Sequence, residues 1–151
     1  MTESRLLASV GAVTSSAGYS GTPLPKKLGI KPGHRVLLDG APAGFETTHL
    51  VPMPDDVTLH RRAGRVPYDV IVAFRPDAAS YVRALARDIG RTATAGALWI
   101  AWPKRASGVV TDLTDEVVRR EALAAGVVDV KVCAIDATWS GLKLVRRLAD
   151  R

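Results

Sequence analysis

Three short runs combine residue types able to hold a ligand. The first is Asp39-Gly40-Ala41-Pro42-Ala43-Gly44-Phe45, a carboxylate followed by a turn with two glycines. Glycine lets a backbone approach a ligand closely, and free amides at a following helix start suit an anion. Pro42 removes one such donor, and Ala41 and Ala43 crowd the loop, so Asp39, Gly40, Pro42 and Gly44 read equally as a tight strand-to-helix turn. The second run is His60-Arg61-Arg62-Ala63-Gly64-Arg65. Guanidinium groups only donate, so Arg61 and Arg62 suit a phosphate and not a sugar hydroxyl, unless they are merely a solvated turn. The third, Pro103-Lys104-Arg105-Ala106-Ser107-Gly108, sets two cations and a hydroxyl beside a flexible residue. Lys104, Arg105 and Ser107 could cradle the anionic group of a nucleotide or RNA. Trp139, in a short linker, is the aromatic expected to be exposed enough to stack on a ligand or to pack over an edge.

Catalytic constellations are scarce. Ser140-Gly141-Leu142-Lys143 matches a Ser-x-x-Lys string, but that chemistry needs a helix, and on a strand the two residues face opposite ways. Gly21 and Lys26 imitate part of a phosphate-binding loop without its second glycine or a preceding strand. His34, His49 and His60 lack the spacing of paired metal ligands, and no metal site is expected. The single Cys133 excludes an internal disulfide and reads as a small buried hydrophobe.

The elements that must position these loops alternate between strand and helix. Pro32-Gly33 turns the chain into a first strand, Arg35 to Asp39, and Phe45 to Leu50 can form a short helix. A weak strand is expected near Val57 to His60. Tyr68 to Phe74 and Ala97 to Trp102 are apolar on both faces, the mark of a sheet covered on both sides. Trp99 and Trp102 then face opposite ways. Between these strands, a helix opened by Pro76 and Asp77 presents Ala78, Tyr81, Val82, Leu85 and Ile89 inward, with Arg83, Arg87, Asp88 and Arg91 outward. Thr114 can cap a second helix, with Val117, Val118, Leu123 and Ala124 inside and Gly126 at its end. Val127 to Ile135 and Gly141 to Val145 are close enough to demand an antiparallel hairpin. The expected fold is α/β: a three-layer sandwich around a compact, Rossmann-like, mostly parallel sheet ending in that hairpin.

The chain has 151 residues, 47% of them hydrophobic, enough for one domain with a real core. One domain is expected over residues 21–151, including a lead-in segment 21–34 whose Leu24, Leu28 and Ile30 dock on the core. Residues 1–20 read as a flexible arm; Glu3, Ser9 and Gly11 spoil a signal-peptide pattern. No apolar run approaches the roughly 18–20 residues of a membrane span, and the chain is expected in the cytoplasm with no membrane partner. The net charge of +6 suggests nucleic acid. The surplus is dispersed, however: residues 1–66 hold 8 basic and 5 acidic groups and residues 67–151 hold 13 and 10, so each part is +3. Arg61, Arg62, Arg65, Lys104 and Arg105 are expected to meet at one edge of the sheet.

Tyr68-Asp69-Val70-Ile71-Val72, a helix, Gly96-Ala97-Leu98-Trp99-Ile100, a helix and a closing hairpin resemble the C-terminal half of a class I methyltransferase. Across residues 18–147 the chain also resembles a small bacterial family of unknown function (domain-of-unknown-function family 3052). That resemblance rests on Gly18-Tyr19-Ser20-Gly21-Thr22-Pro23-Leu24, Lys26 to Ile30, Trp102-Pro103-Lys104 with Ser107-Gly108, and Val130 to Asp136 with Trp139 to Val145. The methyltransferase likeness implies S-adenosylmethionine near Asp39 and Gly40, with a carboxylate after the second strand for its ribose. Here that stretch is cationic, and Asp55 and Asp56 lie before the strand. The favoured reading is a non-catalytic binding or regulatory module holding an anionic small molecule, nucleotide or partner at the carboxyl edge of the sheet. The alternative is a minimal S-adenosylmethionine-dependent methyltransferase acting on a small molecule or RNA; RNA binding by dispersed charge is a third.

Overall fold

The computed structural model describes residues 21–151. The arm expected over residues 1–20 lies outside the described residues. Helix α1 (Leu24–Lys27) follows Pro23, whose fixed φ suits a helix start. Strand β1 (Arg35–Asp39) leads through the glycine turn to α2 (Phe45–His49), β2 (Thr58–His60) and β3 (Tyr68–Phe74). Then come α3 (Ala78–Gly90), β4 (Thr92–Pro103), α4 (Asp115–Ala124), β5 (Val127–Ala134) and β6 (Trp139–Arg146). They form one six-stranded sheet in the order β2-β1-β3-β4-β6-β5. β2, β1, β3 and β4 run parallel, and β6 is antiparallel to both of its neighbours.

The sheet is covered unequally. On one face α3 and α4 bury Tyr81, Leu85, Val118 and Ala122 against Leu37, Ile71, Leu98, Ile100 and Leu142. The Tyr81 hydroxyl donates to the Val118 carbonyl at 2.8 Å, tying the two helices together. The other face has only α1, α2 and the connecting loops. There Leu28, Ile30, Phe45 and Leu50 cover Val36, Leu38, Val72, Trp99 and Ala101. The Trp99 indole N–H donates to the Leu28 carbonyl at 3.1 Å, so the lead-in segment docks as its apolar spacing required. Trp99 and Trp102 belong to opposite faces.

Both long helices are turned from the expected phase. In α3 the buried residues are Tyr81, Ala84, Leu85 and Asp88, while Val82 is exposed. The spacing i, i+3, i+4, i+7 from Tyr81 puts Asp88 on the inner stripe. In α4 Val118 and Ala122 are buried and Leu123 is exposed, because one turn from Val118 leads to Ala122. Asp77 and Thr114 cap the two helices, accepting the amide N–H of Ser80 and Val117. Cys133 is half-buried on β5.

Strand β4 begins five residues earlier than the apolar run alone suggested, and Gly96 explains how. A bulge lies opposite, between Tyr68 and Val70. A Cβ at position 96 would stand 2.8 Å from the Asp69 carbonyl oxygen and 3.0 Å from that of Tyr68. Only glycine lets β4 run past this point. Gly96→Ala is therefore expected to destabilise the fold by roughly 1–3 kcal/mol, the usual cost of forcing atoms into a packed interior. Urea denaturation of the variant beside the parent measures it.

Candidate functional site

The strand order reverses between β1 and β3: the chain runs outward from β1 to β2, then returns to the other side of β1. In open α/β sheets the crevice beyond the carboxyl ends of such a pair is where ligands bind. Here it is bounded by Asp39 and Gly40 at the end of β1 and by Phe74 and Arg75 at the end of β3. Gly40 has φ 75°, and a Cβ there would meet the Phe74 carbonyl oxygen at 3.0 Å. The glycine keeps the two strand ends close and leaves no side chain over the turn.

Arg75 is buried beneath this crevice. Its Nη2 donates to Asp39 Oδ2 at 2.8 Å and to Asp88 Oδ2 at 2.6 Å. Arg87 approaches the same pair from α3, with Nη2 3.6 Å from Asp39 Oδ2 and Nε 3.7 Å from Asp88 Oδ1. Asp88 is only 1% exposed, and burial pushes its carboxyl above the usual carboxylate range against the pull of Arg75. Asp39 keeps partial access to solvent.

The outer wall of the crevice is held by Arg61, which follows β2. Its Nε and Nη2 grip Glu46 Oε2 and Oε1 at 2.8 and 2.6 Å, a two-pronged pair. Nη1 and Nη2 also donate to the carbonyls of Ala41 and Pro42 at 3.0 and 2.8 Å. Arg61 thus straps the glycine turn to α2 with four hydrogen bonds and has little left for a phosphate. The Arg61 hydrogen bonds and charge hold the Glu46 carboxyl down at about 2, against an ordinary 4.5. Gly44, at φ 75°, ends the turn and starts α2. Pro42 contributes its carbonyl to the strap in place of the amide it lacks. Arg62 and Arg65 are exposed.

The Lys104 loop lies elsewhere. β1 and β3 separate β2 from β4, so at about 4.8 Å per strand the ends of the two strands stand about 14 Å apart. Arg61, committed to Glu46 and the glycine turn, does not join Lys104 and Arg105. The Ser107 hydroxyl donates to the Lys104 carbonyl at 2.7 Å and accepts the Val109 N–H at 3.2 Å, which shapes a single turn ending at Gly108. Beside it opens a groove of about 500 Å³, lined by Trp102, Lys104, Arg105, Val110, Thr111 and Ser140. Asp112 binds the Ala78 N–H of α3, and Thr114 caps α4.

Trp139 is not in a linker. It starts β6, half-buried, and packs edge-to-face on Phe74 with ring centroids 5.1 Å apart. Asp136 draws the turn tight by accepting the N–H groups of Thr138 and Trp139, both at 2.8 Å. Phe45 also meets Phe74, with centroids 5.1 Å apart. The aromatic trio clusters on the face that carries α1 and α2.

Arg75, Asp88 and Glu46 were not among the residues singled out from sequence. The signal was present for two of them: Asp88 sits on the inward stripe, and Arg75 directly follows a strand apolar on both faces. Among the described residues no group of three or more His, Cys, Asp or Glu is placed to hold a metal. Nor is any helix there long and apolar enough to cross a membrane.

Solved structures share this architecture. The fold is that of the Rossmann-like methyltransferases. The structure of the pyocyanin biosynthetic protein PhzM superposes with TM-score 0.61 at 14% identity, over 82% of this chain and 53% of that one. The DhpI–SAH complex gives 0.56 at 11% identity, over 83% of each chain. Magnesium protoporphyrin IX methyltransferase (ChlM) from Synechocystis PCC 6803 with bound SAM gives 0.54 at 10% identity, over 82% of this chain and 74% of that one. The chain spans about half the length of PhzM and of an O-methyltransferase family 2 protein from Planctomyces limnophilus. No family model and no curated protein sequence matches the chain. The resemblance to the small bacterial family thus rests on its quoted residues alone.

The Arg75 network allows a first test. Asp88→Ala leaves the buried Arg75 guanidinium with Asp39 as its remaining carboxylate partner and is expected to cost about 3 kcal/mol, the low end for breaking a buried pair, read by thermal or urea unfolding. The Glu46–Arg61 pair allows a second. A carboxylate with a depressed pKa stabilises the fold above its ordinary value and loses that contribution as pH falls through its folded value. The stability difference between wild type and Glu46→Gln should be constant above pH 4.5 and close between 4.5 and about 2. Chemical denaturation across that range follows it.

Proposed function

We propose that the chain is the cofactor-binding core of an S-adenosylmethionine-dependent methyltransferase, with the cofactor seated at the crevice between the β1 and β3 ends. One observation carries the reading: Arg75 and Arg61 at this crevice are already paired, so carboxylate oxygens are left to accept hydrogen bonds from a ligand. Arg75 is bound by Asp39 and Asp88, and Arg61 by Glu46 and two carbonyls. Such a lining offers a phosphate no free guanidinium and suits a ligand bearing hydroxyl groups that the carboxylate oxygens can accept. Asp39 beside the side-chain-free Gly40 turn offers an acceptor at close range, as a sulfonium amino acid joined to a ribose requires.

When bound, the cofactor supplies an electrophilic methyl group. The chain's own contribution is to orient it: Gly40 admits the ligand to the backbone, Asp39 attracts its cationic end, and the aromatic trio excludes water from one side. The acceptor, a small molecule or RNA, would approach over the carboxyl edge of the sheet. The neighbouring structures with bound SAM and SAH support this reading through their shared fold.

A second reading has its own observation. The groove beside Lys104 and Arg105 carries two cations with no ion-pair partner among the described residues, and its volume of about 500 Å³ fits a small ligand. A module holding a phosphate-bearing molecule there needs no reaction. Calorimetric titration separates the two. Saturable binding of S-adenosylhomocysteine at micromolar Kd, weakened about tenfold or more by Asp39→Asn and unchanged by Lys104→Ala, is expected; each tenfold step corresponds to about 1.4 kcal/mol. No binding of S-adenosylhomocysteine, with binding of a nucleoside triphosphate that Lys104→Ala abolishes, would replace the first reading with the second.

A further inference from the structure

Doubly wound sheets that bind nucleosides use a carboxylate just beyond the second strand to accept the ribose hydroxyls. That position in this chain is Arg61, a residue that cannot accept a hydrogen bond. Yet Arg61 does not leave the place without an acceptor. It carries one there. Both of its guanidinium edges are committed to Glu46 and to the carbonyls of the glycine turn, so the Glu46 carboxylate is pinned beside the end of β2 and the turn at 41–42. We propose that Glu46, delivered from α2 and held by Arg61, is the acceptor for the two ribose hydroxyls of a nucleoside ligand at this crevice. The inference rests on the cofactor reading above and names the residue that selects ribose within it.

The chemistry of the pair is adequate. The two carboxylate oxygens have about four lone-pair directions between them, and Arg61 uses one on each, so Glu46 retains acceptor capacity beyond the Arg61 pair. The side chain is 28% exposed, reachable from solvent but fixed in direction. The pair is short and bidentate, which keeps the carboxylate from swinging away. Arg61 is thus a positioning residue, and Glu46 the group that would touch the ligand. The exchange also accounts for the cationic stretch after β2: the carboxylate has moved to the facing helix, and the arginine is its holder.

The experiment compares S-adenosylhomocysteine with its 2′-deoxy analogue by calorimetry on the full chain. Wild type should prefer the ribo form by roughly ten- to a hundredfold, the scale of one hydrogen bond to a charged group. Glu46→Gln should bring that ratio close to one. Arg61→Met should reduce it while Arg61→Lys restores part of it, an effect on the ratio that simple loosening of the fold would not produce. Circular dichroism confirms that each variant is folded; if Glu46→Gln is not, Glu46→Asp, which shortens the reach and keeps the charge, should lower the ratio instead. Binding by wild type with a ratio that none of the Glu46 variants alters would overturn the assignment and leave the cofactor reading intact. Failure of wild type to bind either compound would sink both.

Discussion

The crevice rests on a single guanidinium. Arg75 leaves the end of β3 and reaches under the neighbouring strand end, where one of its nitrogens satisfies a carboxylate from β1 and another from α3. Charges taken out of water are tolerated only when paired, and a cation that faces two acids fixes the position of both. It sets the rotation of α3 about its axis, because Asp88 must point inward. It also sets the direction of Asp39, the acid at the head of the glycine turn. The Arg75 Nε and Asp88 Oδ1 remain without hydrogen-bond partners in this dense interior, a cost that surrounding apolar packing on α3 and β4 offsets. Glycine at position 40 completes the arrangement by letting the two strand ends close to contact.

This pairing changes the meaning of the net charge. Counting cations near the carboxyl edge suggested an anion site, but Arg61 is matched by a carboxylate from another element, and so is Arg75, which the count left out. The surplus of +6 therefore sits on exposed groups such as Arg62, Arg65 and Arg105, not in the crevice. Ion pairing between distant segments cancelled the local charge: a loop sequence rich in cations became a frame of matched pairs.

Much of the architecture was legible because it depends on patterns short enough to see in sequence. The two-sided apolar strands, the caps Asp77 and Thr114, the Pro32-Gly33 turn and the closing hairpin each follow from local rules, and together they leave few topologies open. The helix phases were less legible. In α3 the inward stripe includes an acid, so a reading that sorts apolar residues inward and charged ones outward mistakes Asp88 for surface and Val82 for core. The order of the last two strands was invisible as well: an antiparallel hairpin is implied by a short linker, but not which of its arms lies against β4. The site was legible only by location. Asp39, Gly40 and Gly44 stand at the crevice, whereas Glu46 and Arg75 acquire their roles from partners 15 and 13 residues or more away in the chain. Trp139 shows the same limit, since the aspartate turn that draws it into β6 depends on the backbone geometry of Asp136.

The position of β6 has consequences for how the molecule comes into being. This strand follows both β4 and β5 in the chain, yet it lies between them and supplies hydrogen bonds to both. Until residues 139–146 arrive, β5 has no neighbour and β4 ends in an open row of amides and carbonyls. The parallel half of the sheet can assemble from its own crossovers, but the other half must wait for a late segment to slot between two earlier ones. The exposed Val130 and Val132 lie on β5, the strand that joins the sheet only through β6. A bulge between Asp129 and Lys131 interrupts that outer edge, so the final strand of the sheet offers a poor template for a stranger's chain in the interval before it is pinned.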